Sequence, residues 1–222
     1  MTLAAQIKSA VVSRFFSYGD QDLVRFLDKV GVRRGDSLML HSSWRELNGY
    51  SGKPMDVRRS PSAMGLLTEV FRRGKGVVRS LSPTHPLLAW GADAANFVEG
   101  HAATDRPFGP DSPFSRLLDC NAMLLCLDCG FSSITFTHFV EDRLQTTLPF
   151  PLYEADPMPG VSIDRDGNRI ESQVRVLSRE ANRLRREARL VAHLSQHGTL
   201  RQARLGNSRF TWIRASDLAA GA

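Results

Sequence analysis

Gly35-Asp36-Ser37-Leu38-Met39-Leu40-His41-Ser42-Ser43 is the stretch whose reading decides the fold. Ser37–His41 is a short apolar run, closed by Gly35-Asp36 on one side and by Ser42-Ser43-Trp44 on the other, as in a buried strand of an α/β sheet. Such sheets bind their ligands where strands end in small polar residues. Upstream, Asp20–Val30 sets Leu23, Phe26, Leu27 and Val30 on one side of a helix that Gly31 and Gly35 close. Downstream, Ser60–Arg73 reads as a second helix. Ser60 and Pro61 open it, Leu66, Leu67, Val70 and Phe71 point inward, and Gly74 stops it.

Past Val77–Ser80, Pro83-Thr84-His85-Pro86 is a rigid turn that presents a histidine, followed by a short helix over Ala89–Val98. A loop over Gly100–Pro113 leads to a helical turn at Phe114–Leu118, a buried strand at Met123–Leu127 and a helix from Ile134 to Gln145. Pro149, Pro151, Pro157 and Pro159 exclude regular helix beyond it. Asp166-Gly167 predicts a hairpin between Val161–Ile163 and Arg169–Val174. Helices alternating with short buried strands predict an α/β fold, a sheet flanked by helices, with the hairpin and a C-terminal helix appended, in one domain over residues 1–222.

The 222 residues are 42% hydrophobic and 23% charged, which permits a sizeable core and excludes collagen-like, coiled-coil and wholly disordered chains. No apolar run approaches the ~20 residues of a membrane span. Met1–Gly19 interrupts its hydrophobic residues with Gln6, Lys8 and Arg14, unlike a secretory signal, so a cytoplasmic protein is expected. The three cysteines are too few for a disulfide framework. Cys126 and Cys129 form a Cys-x-x-Cys at a predicted strand with no second pair at zinc spacing, so buried core thiols are expected and no metal site. The net charge of +6 is concentrated in Ser172–Ala222, where ten basic residues face three acidic ones. Leu184, Ala188, Val191 and Leu194 recur at helical spacing there behind Ser178 as N-cap, which turns the arginines outward. A solvated helix face is the expectation and a phosphate-binding surface the alternative; nucleic acid is not the expected partner.

Thr135-Phe136-Thr137-His138-Phe139-Val140-Glu141 carries the candidate chemistry. On a helix His138 and Glu141 share a face, so the carboxylate can take one imidazole N–H and strengthen the other nitrogen as a base. A satisfied buried histidine beside a surface glutamate has the same spacing.

The chain resembles the aminoglycoside 3-N-acetyltransferase family, acetyl-CoA-dependent enzymes distinct in fold from the GCN5-related acetyltransferases. Five ordered segments carry the resemblance: Gly35–Ser43 with Gly49; Gly65 through Arg72; Arg79-Ser80-Leu81-Ser82-Pro83-Thr84-His85-Pro86 with Ala89 and Gly91; Gly109-Pro110-Asp111-Ser112-Pro113; and Thr135–Glu141. It implies that His138 is the general base that deprotonates the acceptor amine, with Glu141 orienting it. It also implies that His41, Ser42, Ser43, Arg79, Ser80, Ser112 and Thr135 line the acetyl-CoA groove; capping or turn chemistry is the alternative for Ser42, Ser43 and Ser112. The implied reaction is direct transfer of acetyl to an amine of an aminoglycoside, as in antibiotic resistance, or of another amino sugar. A homo-oligomer is compatible with it.

Two departures stand out. Ile134 replaces a common asparagine, and several tens of residues, including a strand, are absent around 54–57. An inactive relative that binds CoA or a partner is therefore the alternative function. The acidic residues Glu141, Asp142, Glu154, Asp156, Asp164, Asp166 and Glu171 are solvated loop acids on one reading and a pocket for a cationic acceptor on the other.

Overall fold

A computed structural model of the chain describes residues 3–43, 49–51 and 70–222. In chain order its elements begin with α1 (Leu3–Phe15), α2 (Asp20–Lys29), β1 (Leu38–Ser42), β2 (Val78–Arg79), β3 (Leu88–Ala89), α3 (Ala94–Val98) and α4 (Pro113–Asp119). Then come β4 (Met123–Leu127), a 3-10 turn (Phe131–Ser133), α5 (Phe136–Arg143), β5 (Met158–Ile163) and β6 (Arg169–Val174). The chain closes with α6 (Arg179–Leu184), α7 (Glu187–Gln196), β7 (Arg201–Leu205), β8 (Ser208–Arg214) and α8 (Ala215–Ala220). Most of the helix expected over Ser60–Arg73 and the shortening at 54–57 lie outside the described residues.

β4 is an inner strand of a four-stranded sheet in the order β1-β4-β8-β7. β1 runs parallel to it, with Leu38 opposite Met123 and His41 opposite Cys126; β8 runs antiparallel, with Trp212 opposite Leu125. All five β4 residues are buried because both faces of the sheet are covered at this strand, whereas Leu38 and Leu40 of β1, expected in a buried strand, are exposed. Leu124 and Cys126 join Phe114, Phe136, Phe139 and Ile213 on one face, while Met123, Leu125 and Leu127 join Phe210 and Trp212 on the other. The α2 residue Phe26 seals the second face, its ring 4.5 Å from that of Phe210. Burial on both sides explains why Met123–Leu127 is continuously apolar and not alternating.

The α/β class holds, and the expected hairpin is present as β5–β6 around Asp166-Gly167, with Gly167 at φ 86°. The C-terminal region differs from the continuous helix that its spacing predicts. It breaks at Arg185-Arg186 into α6 and α7, and the β7–β8 hairpin then completes the central sheet. Gly206-Asn207 is its two-residue loop, and Gly206 supplies the positive φ (55°) that a glycine-first hairpin turn requires. Ala89 likewise belongs to β3, opposite Val78, and the helix starts only at Ala94.

The β5–β6 ribbon braces the histidine turn. Ser162 Oγ donates to the Leu81 carbonyl (2.8 Å), and a Cβ at Gly160 would lie 2.6 Å from Pro83 Cγ, so only glycine permits this approach.

Candidate active site

α5 is held by its apolar side. Ile134, Phe136, Phe139 and Val140 are buried in the main core, which leaves His138 and Glu141 about one-fifth exposed on the opposite side. His138 Nδ1 lies 2.9 Å from Glu141 Oε2. The i,i+3 spacing thus brings the two side chains together, and Nε2 has no hydrogen-bond partner among the described residues. Arg185, in the break between α6 and α7, grips Glu141 at two points: Nε to Oε1 at 2.6 Å and Nη2 to Oε2 at 2.8 Å. Its Nη2 is also 3.1 Å from His138 Nδ1. Burial pushes the Glu141 carboxyl up, but the hydrogen bonds from His138 and Arg185, with the Arg185 charge, more than reverse this and hold it below its ordinary value. Glu141 is therefore anionic at neutral pH.

Phe108 forms one wall. Its ring stands 4.9 Å from that of His138 and 4.6 Å from that of His85. Beneath α5, Asp142 is buried and accepts from Arg106 Nε (3.0 Å), Arg106 Nη2 and the Tyr153 hydroxyl (2.7 Å). This network ties the loop that carries Phe108 to the helix that carries His138. Burial, followed by the Asp142 contact, raises the Tyr153 phenol well above its ordinary range.

The residues expected to line a cofactor groove occupy distinct places. His41 and Ser42 end β1, and the Ser43 N–H donates to the Leu127 carbonyl at 2.9 Å. This is the end of the sheet from which β4 turns, through Phe131–Ser133, into α5. His41 Nε2 is buried without a partner among the described residues. Arg79 is exposed on β2. The Ser80 hydroxyl is buried, 2.9 Å from His101 Nδ1, and accepts the Leu87 N–H at 2.8 Å. Ser112 Oγ is buried and donates to the Gly109 carbonyl (2.6 Å) at the start of α4. Both hydroxyls are engaged in shaping loops. Thr135 is half-buried at the start of α5, where its carbonyl accepts the His138 N–H. The structure brings the side chains of His138 and Glu141 into contact; of the other seven, Thr135 meets His138 through its backbone carbonyl, and among the described residues no side-chain hydrogen bond joins the remaining six to the pair.

Sequence reasoning missed Arg185, Phe108 and the Arg106–Asp142–Tyr153 group. Arg185 was expected to face outward with its neighbours, yet its side chain is only 16% exposed. No local signal separates it from Arg183 or Arg186; only the helix break turns it inward. The acidic stretch is largely partnered: besides Glu141 and Asp142, Glu154 accepts the Arg179 N–H, Asp164 closes its own turn and Glu171 pairs with Arg169. Cys126 lies in the core with its Sγ 3.5 Å from the Gly130 carbonyl, and Cys129 is half-buried; both are free thiols. The neighbouring Cys126 thiol lowers the Cys129 thiol below its ordinary value. Among the described residues no group of three or more His, Cys, Asp or Glu side chains could hold a metal ion, and no helix is long and apolar enough to cross a membrane.

Burial lowers His41 to about 4; burial, then the His138 and His101 charges, does the same to His85, whose Nδ1 has no partner among the described residues. Both are neutral in the folded protein at pH 7. As pH falls from about 6.5 towards 4 the unfolded chain takes up protons that the native state refuses, so the stability these sites contribute is complete above 6.5 and is lost across that window. Thermal melts between pH 7 and 4.5 should show a loss on the order of 1 kcal/mol per imidazole, reduced in His85→Asn.

A family model described as aminoglycoside 3-N-acetyltransferase matches residues 35–222. The chain belongs to this family. Aminoglycoside N(3)-acetyltransferase VII of Streptomyces paromomycinus is 38% identical over 77 residues, 35% of this chain. That match spans about a quarter of the curated relative's length, 26%. Among solved structures, aminoglycoside acetyltransferase AAC(3)-Xa superposes with a TM-score of 0.77 at 21% identity, covering 97% of this chain and 95% of that one. AAC-IIIb, solved as a binary complex with CoASH, gives a TM-score of 0.62 at 19% identity over 88% and 91% of the two chains. These likenesses show the family's fold. The matched region contains both His138 and Glu141, and also Arg185.

Proposed function

We propose that this protein is an N-acetyltransferase that moves acetyl from acetyl-CoA to an amine of an aminoglycoside or related amino sugar by direct transfer. The observation that carries this is the His138–Glu141 contact: one imidazole nitrogen is held by a carboxylate while the other has no partner among the described residues, in a chain of the acetyltransferase family. An ammonium has no lone pair, so an amine acceptor requires a base. With Nδ1–H directed at Glu141, Nε2 accepts the amine proton as the amine attacks the thioester carbonyl. The C–N bond forms and the C–S bond breaks. CoA thiolate leaves, and the imidazolium loses its proton before the next turnover. Metal assistance is not required by this scheme.

The residues at the C-terminal end of β1 fit a CoA chain chemically. His41 offers a ring nitrogen with no partner among the described residues, Ser42 and Ser43 offer hydroxyls, and Arg79, exposed on the separate strand β2, offers a cation for phosphate. Ser80, Ser112 and Thr135 would shape the groove walls. Acetyl-CoA at 100 times its Kd should stabilise the fold by about 2.7 kcal/mol, a rise of several degrees in Tm. A thermal-shift titration with thiol release across a panel of amines tests both halves. An unmoved Tm would sink the cofactor assignment; stabilisation without thiol release would identify a binding protein that does not turn over.

A further inference from the structure

Two groups claim one nitrogen of His138. Glu141 Oε2 lies 2.9 Å from Nδ1 and Arg185 Nη2 lies 3.1 Å from it. An ionised carboxylate only accepts and a guanidinium only donates, so Nδ1 cannot satisfy both. With a proton it donates to Glu141 and stands against an Arg185 N–H; without one it accepts from Arg185 and stands against a carboxylate oxygen. The Arg185–Glu141 grip is compatible with either state.

We propose that Arg185 is a positioning residue for the acetyl transfer assigned above, and the inference rests on that reading. It fixes the Glu141 carboxylate through two bonds. Its charge also lies 3.1 Å from the ring nitrogen that Glu141 engages and opposes the extra proton that the carboxylate by itself would favour. The backbone is shaped to deliver it. Ser178 caps α6 by accepting the Ala181 N–H, and its own hydroxyl donates to the Pro151 carbonyl. The chain then leaves the helix at Arg185 (φ −53°, ψ 131°), and Asn182 Oδ1 accepts from Arg185 Nη1 at 3.2 Å. A helix continuing through 185 would not hold this backbone conformation.

Among the described residues the charged and titratable groups around His138 are few. Glu141 lies on its own helix, with Asp142 behind it engaged by Arg106. Arg185 approaches from the α6–α7 break, with Glu187 just beyond it. His85 stands across the Phe108 ring and is neutral. Of these, Arg185 is the cation in contact with the imidazole, and its removal leaves Glu141 acting without that opposition.

The test compares wild type, Arg185→Met and Arg185→Lys in kcat/KM against pH. Arg185→Met should lower kcat about 10- to 100-fold at pH 7 and move the acid limb up by roughly one pH unit, so that the deficit narrows as pH rises. Arg185→Lys should restore much of the limb position, because the charge returns, but not the full kcat, because the two-point grip does not. The KM for acetyl-CoA should change by less than about twofold, since transition-state positioning and ground-state binding separate in this way. In parallel, nitrogen-15 NMR of the His138 ring without substrate should show its titration midpoint higher in Arg185→Met. If wild type turns over while the limb and the midpoint stay in place in a folded Arg185→Met, the Arg185 role is overturned and the acetyltransferase reading stands. If no amine is acetylated by wild type but the midpoint moves as expected, the activity reading falls and the electrostatic role of Arg185 is supported.

Discussion

His138→Ala should lower kcat/KM for acetyl transfer about 100- to 10,000-fold, the range that a positioned general base contributes. Tm and stabilisation by acetyl-CoA should both be retained. This separation follows from how the site is built. The helix is anchored by Ile134, Phe136, Phe139 and Val140 on the other side, so deletion of the imidazole, about one-fifth exposed, costs its packing on Phe108 but leaves the helix in place. Glu141 is not orphaned either, because both of its oxygens stay on Arg185. Loss of rate without loss of fold is what a chemical role requires. A variant that keeps wild-type turnover at saturating acetyl-CoA would remove His138 from the mechanism. A variant that melts many degrees lower would instead make the histidine a structural group.

What could be read from the sequence was local. Ser37–His41 and Met123–Leu127 are short apolar runs between turn residues, and Asp166-Gly167 has the composition of a tight turn; each is a strand or hairpin in the structure. His138 and Glu141 were legible because helical geometry converts a spacing of three into contact. The remainder depends on partners remote in the chain. β8 reads as a basic segment, Ser208-Arg209-Phe210-Thr211-Trp212-Ile213-Arg214, until β4 pairs with it and divides its faces between the two halves of the core. Phe108 sits in a loop with no periodicity, and its contacts with His85 and His138 come from tertiary packing. Arg185 meets Glu141 across 44 residues of chain, and one more arginine in an arginine-rich stretch carries no mark of that meeting. The spacing of three pointed to the His138–Glu141 contact, but Arg185, the third member of that contact, came only from the geometry.

Asp142→Ala should destabilise the protein by about 3 kcal/mol, the effect expected when one partner of a buried ion pair is removed. Asp142 is 2% exposed and receives three donors, two from Arg106 and one from Tyr153. Truncation leaves a guanidinium and a phenol facing a space that neither can fill. The value sits at the low end of the range for such pairs because Arg106 is 32% exposed and part of its charge can be rehydrated. For a chain of this length the loss corresponds to a fall in Tm of roughly 6–12 °C. Pairing the change with Arg106→Met should recover part of it, since the second substitution removes the stranded charge and the cost arises chiefly from leaving that charge unmatched. A double variant no more stable than Asp142→Ala would show that the carboxylate acts mainly through Tyr153 or through helix packing. The same single variant should also slow acetyl transfer without Asp142 touching substrate. Arg106 holds the loop that sets Phe108 against His138, so loosening that loop frees the ring wall beside the base. If activity measured well below the lowered Tm were unchanged, Phe108 would be held by its contacts with Phe114 and His85 alone, and the ion pair would serve stability only.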